Sequence, residues 1–166
     1  MSSIEELRLK YGNEVAGLVF ICRVYTGTST KQELSAYFSQ YEHDFVLLYK
    51  LIRTHQIRPV ALRVLSDMAI ENEIKCKLQE DCREIAIKNF ENAKELIRLY
   101  QVFKQAGIIV IPYKGVVYSE RYYKETGMRE FCDIDFLVLP KDIGALKNIL
   151  GSLGYVEELH SIPEIY

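Results

Sequence analysis

A chain of 166 residues, 49% hydrophobic and 27% charged, can bury the core of one domain, or of a helical subdomain leaning on a small α/β one. Its formal net charge of −2 excludes a global pull toward nucleic acid or an anionic membrane, while leaving room for a local basic pocket. The start MSSIEELRLKYG is charged and no run of about 18 apolar residues occurs, so neither a signal peptide nor a membrane span is expected.

The first two thirds read as helix. NEVAGLVFICRVY places apolar residues at helical spacing. STKQELSAYF offers Ser29 or Thr30 as N-cap, with Gln32 or Glu33 three residues on to complete a capping box. HDFVLLYKLIRTH is amphipathic and ends before Pro59, a favoured first helical residue, from which PVALRVLSDMA starts a further helix. From Glu71 to Ala106 there is neither Gly nor Pro. Ile74, Leu78, Cys82, Ile85, Phe90, Ala93, Ile97, Tyr100 and Phe103 recur along it as the stripe of one buried face, and Gly107 stops the helix.

Beyond Gly107 the texture changes. Ile108 to Tyr113, IIVIPY, is a β-branched run, and Lys114-Gly115 leads into the helical pattern VVYSERYYKE. FCDIDFLVL reads as a second strand ended by Pro140, KDIGALKNILGSLGY as a short helix closed by Gly154, and YVEEL as the start of another strand. The fold class expected is therefore α+β. A helical subdomain spans 1–106, with its long helix at about 71–106, and an α/β core follows at 107–166. The closing HSIPEIY completes no element, as expected of a core that continues in a longer protein.

Cysteines and histidines supply no metal pattern. Cys22, Cys76, Cys82 and Cys132 contain no CxxC, and His43, His55 and His160 no HExxH, so the thiols read as reduced, mostly buried groups of a cytoplasmic protein. Cys132 in particular reads as core, and Tyr118 and Tyr122, four apart on one helix, share a face.

The chemistry concentrates in GMREFCDIDFLVLP. Along a strand Asp133 and Asp135 point one way while Ile134 and Phe136 point the other, with the aspartate Cα atoms about 6.6 Å apart. Such carboxylates can converge on divalent cations, and hard oxygen ligands favour Mg²⁺ or Mn²⁺. Alternatively they are solvated at a strand end or paired with Lys and Arg. Lys114-Gly115 at a strand-to-helix turn lets backbone approach a phosphate, and Arg129 adds a forked donor suited to phosphate oxygens. These two cations could instead simply compensate the aspartates.

The stretch GIIVIPYKGVVYSERYYKETGMREFCDIDFLV resembles the signature of the uncharacterised nucleotidyltransferases of the DNA polymerase β-like superfamily. That signature is a lysine-glycine after a strand, a spaced tyrosine and glycine-x-arginine, and an aspartate-x-aspartate followed by apolar residues. The resemblance spans Gly107 to Tyr155, more weakly back to about Phe45. It implies a mixed sheet with flanking helices, Asp133 and Asp135 holding Mg²⁺ as catalytic and metal residues, and Lys114, Gly115 and Arg129 lining a nucleotide-binding pocket. The reaction implied is attack by an unknown acceptor, a small molecule or a protein, on the α-phosphorus of an NTP. Val116 stands where better-known members carry serine, as is usual in this branch. The family's third carboxylate is expected beyond the LGY segment, where only Glu157, Glu158 and Glu164 remain. Without it, the chain would be a catalytically inactive domain that binds nucleotide or a partner, and the long helix allows a homo-oligomer through the helical region. A glycosyltransferase DxD site ranks lowest, because such domains need more α/β chain before the motif.

Overall fold

The computed structural model describes residues 3–70 and 72–158. Six helices come first: α1 (Ile4–Tyr11), α2 (Asn13–Tyr25), α3 (Lys31–Gln40), α4 (Phe45–Thr54), α5 (Arg58–Leu65) and α6 (Asn72–Gln105). Strand β1 (Val110–Tyr113), the single turn α7 (Gly115–Tyr118), strand β2 (Asp135–Val138) and helix α8 (Ile143–Ser152) follow. The architecture is α+β, helices first and a small sheet after.

Local chemistry explains the helix starts. Thr30 and Glu33 form the anticipated capping box of α3, and Ser3 and Glu6 form a second one on α1. Asp44 caps α4 by accepting from the Leu47 N–H at 2.9 Å. The long helix ends where Gly107 adopts φ 72°, a left-handed conformation that only glycine takes without cost.

Helix α6 is 34 residues, about 51 Å at the usual rise, and serves two cores. Its first turns, at Ile74 and Leu78, close a helical core built from Ala16 and Ile21 of α2, Leu34 and Tyr37 of α3, Leu48 and Ile52 of α4, and Ala61 and Val64 of α5. Its last turns, at Leu99 and Phe103, pack with Ile108, Val110, Phe136 and Val138 and with Leu146 and Leu150 of α8. Phe103 meets Phe136 edge-on with ring centroids 5.5 Å apart.

The buried stripe of α6 departs from the sequence reading in its second half. Phe90, Ile97 and Tyr100 are exposed, and the inward positions are Leu78, Ile85, Asn92 and Leu99 together with Cys82, Asn89, Leu96 and Phe103. The expected stripe stepped five residues from Ile85 to Phe90, a rotation of about 140° off the face. The residue that stays on the face is polar: Asn89, with 0% exposure. The thiols also differ from expectation, since Cys22 and Cys82 are half-buried and Cys76 and Cys132 exposed.

The sheet among the described residues is two-stranded and antiparallel rather than mixed, with Val110 opposite Val138, Ile111 opposite Leu137, Pro112 opposite Phe136 and Tyr113 opposite Asp135. Pairing stops at Asp135 because β1 stops at Tyr113: Lys114 turns the chain away, leaving Phe131 to Ile134 without a strand beside them. Tyr155 to Glu158 form no strand, and Leu159, His160 and Glu164 lie outside the described residues.

Candidate active site

Beside the middle turns of α6 lies a cavity of about 380 Å³. It is lined by Lys114, by Arg129 to Asp133 and Asp135, by Ile85, Lys88 and Asn89 of α6, by Gln56 of the α4–α5 turn and by Arg58 at the start of α5. The alternation of faces accounts for the sheet side. Asp133 and Asp135 border this cavity, while Ile134, Phe136 and Val138 border a separate, apolar one of about 420 Å³ under α8. Cys132 touches both cavities and is exposed, because the strand has not yet begun at its position.

Close approach of backbone builds the turn that carries Lys114. Gly115 has φ 34°, and a Cβ there would sit 3.3 Å from the carbonyl oxygen of Asp133 and 3.5 Å from the Phe131 ring. Glycine at this point lets the turn press against the segment bearing the aspartates. Lys114 has φ 55° and ψ −140°, a region that side-chain-bearing residues rarely adopt. Such strain costs on the order of 1–3 kcal/mol and concentrates at functional sites. The helix expected after it is one turn long and passes into a π-helical turn, Ser119–Tyr123, that ends at Lys124 with φ 59°. A single turn has little macrodipole to offer, so the positive charge at this end of the site comes from the side chains.

Arg129 is held by aromatic faces. Its guanidinium carbon lies 5.9 Å from the centroids of both Tyr118 and Phe131. Tyr118 in turn meets Tyr113 at 5.7 Å and Tyr122 at 5.3 Å, both edge-on, so the expected shared face of Tyr118 and Tyr122 is present. Hydrogen bonding to Tyr113, then burial, raises the Tyr118 phenol above its ordinary value. Arg129 Nη1 is buried and has no hydrogen-bond partner among the described residues. A buried, unsatisfied guanidinium nitrogen is costly unless an acceptor arrives.

The loop behind Arg129 is fixed from the helical side. Asn89 Nδ2 donates to the carbonyls of Thr126 and Arg129, at 2.7 Å each. Glu130, 8% exposed, accepts from the Arg58 backbone N–H at 2.8 Å and from Arg58 Nε at 3.0 Å and Nη2 at 2.5 Å. Arg58 Nη1 donates to Asp81 at 3.0 Å, and the Tyr49 hydroxyl donates to the same carboxylate at 2.6 Å. The hydrogen bonds that Arg58 donates to Glu130, and after them the one to Asp81, hold its guanidinium above its ordinary value despite burial. Burial pushes the Asp81 carboxyl up, but the Tyr49 and Arg58 hydrogen bonds outweigh it and leave the group below the usual range.

Asn89, Arg58, Glu130, Lys88 and Gln56 were not singled out by the sequence reading. One signal was present: an asparagine on the seven-residue recurrence of Cys82, Leu96 and Phe103 is a polar group on an apolar seam, which demands a partner. Nothing local marks the others, since Arg58 and Glu130 meet across 72 residues.

The aspartates are not neutralised by the cations beside them. Among the described residues neither the Asp133 nor the Asp135 carboxylate has an ion-pair or hydrogen-bond partner, and neither Lys114 nor Arg129 forms an ion pair. Nor is there, among those residues, any group of three His, Cys, Asp or Glu placed to hold a metal. Glu157, one of the candidates for a third carboxylate, pairs with Lys147 of α8. No described helix is long and apolar enough to cross a membrane.

A family model described as uncharacterised nucleotidyltransferase matches residues 41–164, three quarters of the chain, from just before α4 to past α8. No curated protein and no solved structure matches. With a match over that much of its length, the chain belongs to this uncharacterised nucleotidyltransferase family.

Proposed function

We propose that the chain transfers a nucleoside monophosphate from an NTP to an acceptor hydroxyl or similar nucleophile, in a reaction that depends on Mg²⁺ or Mn²⁺. The observation that carries this reading is the convergence of two unpaired carboxylates, Asp133 and Asp135, with Lys114 and Arg129 on one cavity. Opposite charges that share a cavity without pairing fit a ligand that is itself both metal and phosphate.

The donor set fits Mg²⁺ in a particular way. Mg²⁺ keeps several waters and takes one or two carboxylates plus substrate phosphates, rather than a full protein cage. Asp133 and Asp135 would hold it, with nucleotide oxygens completing the shell, so metal and nucleotide bind together. The chemistry it supplies when bound is charge neutralisation at the attacking and leaving oxygens. Lys114 and Arg129 hold and orient the phosphates, and Gly115 keeps the turn close enough to do so. The new bond joins the acceptor oxygen to the α-phosphorus, the bond to pyrophosphate breaks, and the hydroxyl proton leaves to solvent.

A second reading, nucleotide binding without turnover, is favoured by one observation. Glu157 is engaged by Lys147, and no third carboxylate joins Asp133 and Asp135 among the described residues.

A thermal-shift series with the four NTPs, with and without Mg²⁺, tests the common core of both readings. At about 100 times its dissociation constant a ligand adds about 2.7 kcal/mol of stability. The shift is expected to need metal and to vanish in the Asp133→Asn/Asp135→Asn variant. An equal shift in the double variant, or none with any NTP on the wild type, overturns the assignment. Pyrophosphate release then separates the enzyme from the silent binder.

A further inference from the structure

The cavity has a wall that the family signature does not include. Gln56, Arg58, Ile85, Lys88 and Asn89 all reach it from the helical region. Arg58 is committed to Glu130 and Asp81, and Asn89 to the loop carbonyls. Lys88 is committed to nothing: among the described residues it forms no ion pair or hydrogen bond, although Glu84 and Glu91 stand four before and three after it on α6. Its chain neighbour Asn89 bonds the Arg129 carbonyl at 2.7 Å, and Lys88 and Arg129 both line the cavity. Cations that line one cavity without pairing repel one another, and an anion bound among them offsets that cost.

Charge counting says which anion. With Arg58 and Glu130 set against each other, the cavity presents Lys88, Lys114 and Arg129 against Asp133 and Asp135. A divalent cation cancels the two aspartates. Three cations then remain, one more than a monophosphate dianion can match and close to what a triphosphate carries.

We propose that Lys88 binds the terminal phosphate of the nucleotide, so that helix α6 and not the sheet alone selects triphosphates over monophosphates. This rests on the nucleotide-binding reading above and goes beyond it by naming the phosphate-counting residue.

The test is equilibrium binding of the NTP that gives the largest shift, of its monophosphate, and of inorganic tripolyphosphate, each with Mg²⁺. Wild type, Lys88→Gln and Lys88→Arg are compared. Lys88 is exposed on a helix, and Gln and Arg are good helix formers, so unchanged melting temperatures confirm folded variants. A charge-assisted hydrogen bond lost to Gln is expected to weaken NTP and tripolyphosphate binding roughly tenfold or more. Monophosphate affinity stays within about twofold and Lys88→Arg regains most of the loss. If Lys88→Gln binds NTP as wild type does, or loses NTP and monophosphate equally, the Lys88 assignment falls while the aspartate site stands. If wild type binds no NTP, both fall together.

Discussion

Lys114 combines a charge that the proposed nucleotide site would use with a backbone conformation that side-chain-bearing residues rarely adopt. At φ 55° and ψ −140° the Cβ crowds the peptide, and glycine would relieve the crowding. The next residue, Gly115, has no room for a side chain, since a Cβ there would sit 3.3 Å from the Asp133 carbonyl oxygen. On the proposed function, stability and nucleotide binding therefore pull in opposite directions at Lys114. Lys114→Gly is expected to raise stability by about 1 kcal/mol, read from denaturant midpoints, and to weaken Mg-NTP binding by tenfold or more. A variant that loses stability would show that the Lys114 stem packs more than it strains. One that keeps full nucleotide affinity would remove the lysine from the site.

At the scale of elements, the decisive piece is the segment from Thr126 to Glu130, a single 3-10 turn (Thr126–Met128) and two irregular residues, held from outside. Glu130 is 7% exposed as a side chain and depends on Arg58, whose own side chain is 20% exposed. Removing the cation leaves a buried carboxylate without compensation, a loss of about 3–5 kcal/mol where pairs of this kind have been broken. Arg58→Met is expected to cost about 3 kcal/mol in a urea melt. Adding Glu130→Gln should recover part of it, since glutamine can still accept from the Arg58 N–H at the same place. A double variant less stable than the single one would mean that the pair is not the support of this loop. The same element shows where sequence reading reached and where it stopped. The two faces of the Asp133–Phe136 segment were legible because strand alternation is a local rule, and the helix-to-sheet change at Gly107 because composition shifts there. Position along α6 was not. A five-residue step from Ile85 to Phe90 looked helical, yet the true face passes through Asn89, whose burial makes sense only once Thr126 and Arg129 are beside it. Lys88 and Gln56 went unmarked for the same reason: tertiary meeting, not spacing, puts them on the cavity.

For the molecule as a whole, the family match begins at residue 41, but the core that supports the matched part begins earlier. Leu48 and Ile52 of α4 and Val64 and Leu65 of α5 are buried in one cluster with Leu18, Phe20 and Ile21 of α2 and Leu34 and Tyr37 of α3. Each such large side chain contributes roughly 1.5–3 kcal/mol when buried, so the five from α2 and α3 amount to about 10 kcal/mol. That is as large as the entire stability of a typical domain, about 5–15 kcal/mol. The helical core also fixes Arg58 and, through α6, Lys88 and Asn89, so its loss would reach the cavity. A chain cut to residues 41–166 is therefore expected to give no cooperative thermal transition and to bind a hydrophobic dye, with Mg-NTP binding lost along with the fold. A sharp transition near that of the full chain would mean that the matched region closes its own core. The helices before residue 41 would then be an attachment to the nucleotidyltransferase unit instead of part of its foundation.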